Sequence, residues 1–183
     1  MQTTPGTSLS DDTASDEAPP SRKRGLTQCV AIAVAALVAD QSTKWWAEHA
    51  LVSGQRRALV GELLQLRLTY NPGAAFSVGT GYTIVLTCIA LAVIGVVIST
   101  ARRIRSAWWA VALGLLLGGA LGNVTDRLLR PPAPFRGHVV DFLELPNWPV
   151  FNVADSAITV AAVLFIGLSL RGVRLDGSRD HRR

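Results

Sequence analysis

Two aspartates stand in apolar surroundings with no lysine or arginine beside them: Asp141 in Gly137-His138-Val139-Val140-Asp141-Phe142 and Asp155 in Phe151-Asn152-Val153-Ala154-Asp155-Ser156. If the chain brings them together, repulsion and loss of hydration keep one carboxyl protonated while the other ionises. Such a pair can take a proton from water while polarising a peptide carbonyl. Two aspartates by themselves carry little information, and pairing for structure is the commoner outcome. Asp40 and Lys44 are spaced i, i+4 with the acid first, the better order for an ion pair on a helix. That pair reads equally as an anchor for its helix or as part of a site. Asn123, Asp126 and Arg127 fall at i, i+3, i+4 on one helical face, which reads as a supporting network rather than a catalytic group. Gly118, Gly119 and Gly122 precede them and permit close helix approach.

Other chemistries find less support. There is no G-x-S-x-G elbow, no H-E-x-x-H helix, and no thiol beside a histidine. Ser42 and Lys44 are two apart and do not face one another on a helix; Ser77 would reach Lys44 only by folding back. Cys29 and Cys88 lie inside apolar runs, and His49, His138 and His181 match no ligand spacing, so buried inert thiols, surface histidines and no metal are expected. Asn123-Val124-Thr125 fits a glycosylation pattern, a weak motif at a site crowded by apolar sequence.

The elements that must position these residues are apolar helices. The chain has 183 residues, enough for one domain, and 49% of them are hydrophobic. The pI near 10 could suggest a nucleic-acid partner. The arginines, however, sit in short clusters at the ends of apolar runs instead of forming a continuous basic surface, which excludes nucleic acid and points to membrane loops. Four spans are expected, at about 26–48, 81–101, 106–123 and 150–170; about 20 apolar residues cross a bilayer core. Two of these runs lack the polar stripe that a soluble bundle would show. The basic clusters Arg22-Lys23-Arg24 and Arg102-Arg103-Ile104-Arg105, with the basic tail 171–183, place both termini on the cytoplasmic side. Connections 50–80 and 124–149 then face outward. In the first, Leu64, Leu66, Leu68 and Tyr70 alternate with polar residues, the signature of a half-buried strand, and Asn71-Pro72-Gly73 supplies a turn. The expected fold is therefore an all-α integral membrane protein, N-in and C-in, with a small extracytoplasmic β-sheet, or cradle, within about 52–80. Residues 1–21 read as a disordered acidic tail.

Taken together and in order, Asp40-Gln41-Ser42-Thr43-Lys44, Asn71-Pro72-Gly73-Ala74-Ala75-Phe76-Ser77, Gly122-Asn123-Val124-Thr125-Asp126-Arg127 and the segments around Asp141 and Asp155 closely resemble the bacterial lipoprotein signal peptidase (signal peptidase II) family. The resemblance implies an aspartyl protease of the cytoplasmic membrane. It would cleave diacylglyceryl-modified prolipoproteins just before the lipid-bearing cysteine, be blocked by globomycin and need no cofactor. It implies that Asp141 and Asp155 are the catalytic pair. Asp40, Lys44, Asn71, Gly73, Asn123, Asp126, Arg127, Asn152 and Ala154 match the family's other characteristic positions, shaping the pocket or holding the dyad. A monomer among membrane lipids, with its site at the extracytoplasmic face, completes the expectation. A proton-coupled transporter is the rival, but it predicts charges at the midplane and an internal repeat, and neither is evident. A structural assembly protein is the third reading.

Overall fold

The computed structural model describes residues 22–73 and 82–179. In chain order these form α1 (Arg22–Ala50), β1 (Arg57–Val60), β2 (Leu64–Asn71), α2 (Thr83–Ala101), α3 (Ala107–Leu129), β3 (Val139–Glu144) and α4 (Val153–Leu170). All four helices are long and apolar enough to cross a membrane. Their outward faces carry Val34, Val38, Val96 and Val163, all exposed, a surface suited to lipid rather than water. Residues 1–21, 74–81 and 180–183 lie outside the described region, and with them the expectations for the acidic tail, for Ser77 and for the start of the second span.

α3 is the hub. In its most apolar stretch 56% of residues are buried, against 22% in each of the other three spans. Small residues make this possible. A Cβ on Gly118 would lie 2.5 Å from the Ala33 carbonyl oxygen of α1, and one on Gly119 2.6 Å from the Ala154 carbonyl oxygen of α4. Gly114, Gly118 and Gly122 recur every four residues and give α1 a continuous seat. Around that contact Cys29, Ala33, Leu113, Leu117 and Ala120 form the core, joined by Ile94 and Val97 of α2. Cys88, in contrast, is exposed, so the expectation of two buried thiols holds for Cys29 alone.

α3 runs six residues beyond the expected end at Asn123. The i, i+3, i+4 spacing of Asn123, Asp126 and Arg127 lies on that helix, where Val124, Asp126 and Arg127 are buried, so the helix continues past the end of the apolar run. α4 starts three residues later than expected, with Asn152 as its N-cap.

The sheet has the order β1-β2-β3, antiparallel throughout. β2 is the alternating segment read from the sequence: Leu66 and Leu68 are buried, while Tyr70 is exposed. β3 comes from the second outer connection, so the cradle is not confined to 52–80. Its run Val139-Val140-Asp141-Phe142 is buried on both faces and so lacks the polar alternation of a half-buried strand. Leu66, Leu68, Val140 and Phe142 pack on Ala47 near the end of α1, which supplies the support an isolated hairpin lacks. Glu144 fastens the sheet, accepting bonds from Arg56 at 2.7 and 2.8 Å and from Arg67 at 3.1 Å. Beyond β3 the chain turns back, and Leu143 and Phe151 exchange two backbone bonds of 2.8 Å. This return places the start of α4 beside β3.

Candidate active site

The start of α4 is built around a capping box. The Asp155 N–H donates to Asn152 Oδ1 at 2.9 Å, and the Asn152 N–H donates to Asp155 Oδ2 at 3.2 Å. The other carboxylate oxygen, Asp155 Oδ1, accepts from Asn123 Nδ2 at 2.8 Å. Asn152 also reaches across to β3, where its Nδ2 donates to Asp141 Oδ1 at 2.7 Å. Asp141 Oδ2 accepts from Asn71 Nδ2 at 3.0 Å. Asn71 is itself held in an Asx turn, with Gly73 N–H donating to its Oδ1 at 2.9 Å. The two aspartates are thus joined through one asparagine and held by neutral amides.

A second pair of aspartates sits just behind. Lys44 Nζ lies 2.8 Å from Asp40 Oδ2 and 2.8 Å from Asp126 Oδ2, and donates to Asn123 Oδ1 at 3.1 Å. All three ammonium protons are accounted for, which a fully buried lysine requires. Asp40 Oδ1 accepts the Ala154 N–H at 2.9 Å, and Asp126 Oδ2 accepts the Val140 N–H at 3.2 Å. Each of these aspartates therefore fixes the backbone amide immediately before Asp155 or Asp141. Asp126 Oδ1 is held by Arg130 Nε at 2.8 Å, and Arg130 in turn pairs with Glu48. Gln41 Nε2 adds bonds to Asp40 and to the Gly122 carbonyl, both at 3.1 Å.

Asp141 and Asp155 line one cleft of about 260 Å³, together with Asn71, Asn123, Arg127 and Ile158. Arg127 Nη2 donates to the Gly73 carbonyl at 2.9 Å. Its other amino group, Nη1, is buried without a hydrogen-bond partner among the described residues. Burial first, and then the Asp155 charge, push the Asp141 carboxyl up to about 7. The sign follows from β3 sinking this group to 2% exposure against only neutral donors. A larger groove, about 530 Å³ between Arg56, Glu62 and Glu144, holds neither aspartate of the pair, so size alone does not locate the chemistry. Among the described residues no group of three or more His, Cys, Asp or Glu side chains converges as a metal site.

A family model described as signal peptidase (SPase) II matches residues 32–171. The chain belongs to the signal peptidase II family. It is accordingly a peptidase of the aspartic type. The lipoprotein signal peptidase of Rhodococcus jostii (strain RHA1) is 47% identical over 172 residues, covering 92% of this chain and 86% of the relative. That of Mycobacterium tuberculosis (strain CDC 1551 / Oshkosh) is 47% identical over 159 residues, covering 87% and 77%. Two solved bacterial membrane enzyme structures superpose with TM-scores of 0.72 and 0.70 at 27% and 28% identity. They cover 86% and 79% of this chain and 93% and 94% of their own.

Every described residue singled out from the sequence for this signal peptidase II chain falls in the cleft or in the network behind it. Asn71, Gly73, Asn123 and Arg127 line the cleft beside the aspartate pair. Asp40, Lys44, Asp126 and the Ala154 amide lie behind; Asn152 joins the two aspartates of the cleft, and Asn123 links the cleft to Lys44. Gln41, Glu48 and Arg130 were missed. Gln41 lies inside the Asp40-to-Lys44 motif but was given no role there, whereas Glu48 and Arg130 are 82 positions apart and only the fold pairs them.

Proposed function

We propose that the chain is an intramembrane aspartyl endopeptidase that removes signal peptides from diacylglyceryl-modified prolipoproteins, cutting just before the lipid-bearing cysteine. The observation that carries this reading is the convergence of Asp141 and Asp155 on one cleft, joined through Asn152 and held by no cation within ion-pairing distance among the described residues. Asp155 acts as base and removes a proton from water as its oxygen attacks the scissile carbonyl carbon. Asp141, still protonated near neutral pH, gives its proton to the carbonyl oxygen. When the tetrahedral diol collapses, Asp155 passes its proton to the departing cysteine nitrogen and Asp141 recovers its own. The unpaired Arg127 Nη1 supports a further role, donating to a substrate carbonyl in the cleft.

The relatives' names support prolipoprotein substrates. Residues 22–170 form the protease unit, between the acidic tail 1–21 and the basic segment 171–183. Basic clusters at the end of the bundle away from the cleft favour the cytoplasmic membrane with the site outward, where a signal helix meets water. Purified protein in detergent, given a diacylglyceryl-modified prolipoprotein, tests the proposal. Cleavage should disappear in Asp141→Asn and in Asp155→Asn while both variants remain folded and the parent resists chelators. Turnover persisting in either variant removes that residue from the pair.

A further inference from the structure

At the opposite end of the bundle, the segment after α4 folds back instead of trailing away. Val173 and Arg179 pair as an isolated bridge. Gly177 closes the turn at φ +87°, and Asp176 Oδ1 accepts both the N–H and the hydroxyl of Ser178, at 2.9 and 2.7 Å. Trp109 Nε1 pins the segment by donating to the Val173 carbonyl at 2.9 Å, and the Arg105 and Ser106 amides both donate to the Leu175 carbonyl. The fold-back walls a groove of about 380 Å³ whose lining includes Trp108, Val163, Gly167, Arg171, Val173 and Arg179.

The groove has the shape and charge of a lipid seat. Val163, Gly167 and Arg171 follow one another at i, i+4, i+8, so they form a stripe along the last turns of α4. Gly167 adds no side chain to the groove it lines and faces open space, since a Cβ there would meet nothing within 4 Å. Arg171 stands at the foot of the stripe and Arg179 beside it on the turn. Among the described residues no ion pair engages either guanidinium. Trp108, 63% exposed at the second position of α3, marks the depth of the bilayer interface. α4 is 18 residues long, about 27 Å at 1.5 Å per residue, which sets this groove in the leaflet away from the catalytic cleft.

We infer that this groove binds one anionic glycerophospholipid, its phosphate between Arg171 and Arg179 and an acyl chain along Val163 and Gly167. Two guanidiniums without carboxylate partners among the described residues ask for an anion, and forked N–H donors suit a phosphate. The apolar wall asks for a chain attached to that anion, and basic pockets at helix ends are where anionic headgroups settle. The site is independent of the hydrolytic reading, because none of its residues touches the cleft.

Native mass spectrometry of the full chain, released from equal phosphatidylglycerol and phosphatidylcholine, tests it. The parent should retain one phosphatidylglycerol with at least about five-fold preference. The double variant Arg171→Gln/Arg179→Gln should lose the preference, and Gly167→Leu should lose the tightly held lipid with no change of charge. Both should cleave substrate at the parental rate in detergent, which shows that they fold. Equal retention of the two lipids would overturn the inference, as would undiminished preference in the double variant. Displacement by glycerol phosphate would reassign the groove as a phosphate site, and a dimer mass peak lost on the same substitutions would reassign it as a contact between copies; either also overturns it.

Discussion

Two pairs of aspartates, three of the four side chains buried, lie side by side and are treated in opposite ways. Asp40 and Asp126 share the ammonium of Lys44, and Asp126 also holds Arg130; every one of their oxygens is committed to a cation or to an N–H. Asp141 and Asp155 accept bonds from asparagine amides and from one backbone N–H, and no cation lies within ion-pairing distance among the described residues. Neutralised carboxylates in a dry interior are fixed in charge and geometry, whereas carboxyls facing only neutral donors can still exchange a proton. The first pair therefore reads as framework and the second as the reacting groups. The framework pair grips the amides of Ala154 and Val140, so it sets the position of the proposed reacting pair from outside the cleft.

The largest effects should separate the pairs outright. Asp141→Asn and Asp155→Asn should each lower cleavage by about 10³-fold or more, since losing a general acid or base costs 10²–10⁴-fold, while the protein stays monodisperse. Lys44→Met should instead remove the fold. It leaves two buried carboxylates facing each other, a defect of about 3–5 kcal/mol, and should appear as a collapse in thermal unfolding temperature and yield. A well-folded Lys44→Met that merely cleaves slowly would break the comparison, because the framework would then be dispensable.

The next test uses pH. The Asp141 carboxyl lies at about 7 in the folded protein against 3.8 when free. As the proposed proton donor it must be protonated, so cleavage should fall as pH rises through about 7. Because its folded value is raised, the stability this group supplies is complete below about pH 4 and is lost progressively up to about 7. Asp141→Asn should escape that loss, gaining stability relative to the parent at pH 8 but not at pH 4. The gain is limited because an amide can accept from only one of the Asn71 and Asn152 donors through its single oxygen. Equal unfolding temperatures of parent and variant across that range would refute the assignment.

Smaller effects refine the framework. Arg130→Gln should lower kcat several-fold with little change in KM, since Arg130 acts through Asp126 and the Val140 amide, and Glu48→Gln should do the same more weakly. Arg56→Ala sits at the low end. It touches Glu144 on the far side of the sheet and is 60% exposed, so both cleavage and unfolding temperature should remain at parental values.

Much of this arrangement was legible in the sequence because it follows from local rules. Four apolar runs of membrane-spanning length and the Leu64 to Tyr70 alternation needed no tertiary information. The Asp40–Lys44 spacing and the Asn71-Pro72-Gly73 turn were equally local, and the ordered motifs carried the site. The rest depended on partners distant in the chain. β3 escaped because Val139 to Phe142 is buried on both faces and shows no alternation. The helical spacing of Asn123, Asp126 and Arg127 was local, but the third span was ended at Asn123 because the apolar run stops there; only the burial of Asp126 and Arg127 shows why the helix continues to Leu129. Arg130 and Glu48 carried no signal, since nothing near either residue names the other.

The capping box has a consequence for timing. Asp155 is both the stopper of α4 and the group read here as the base, so each momentary unwinding of that first turn also swings the carboxylate out of register. Readiness to react is then a property of one helical turn. Hydrogen–deuterium exchange at the Asp155 amide would count those lapses directly, and a substrate that seals the turn would slow the exchange before any bond is cut.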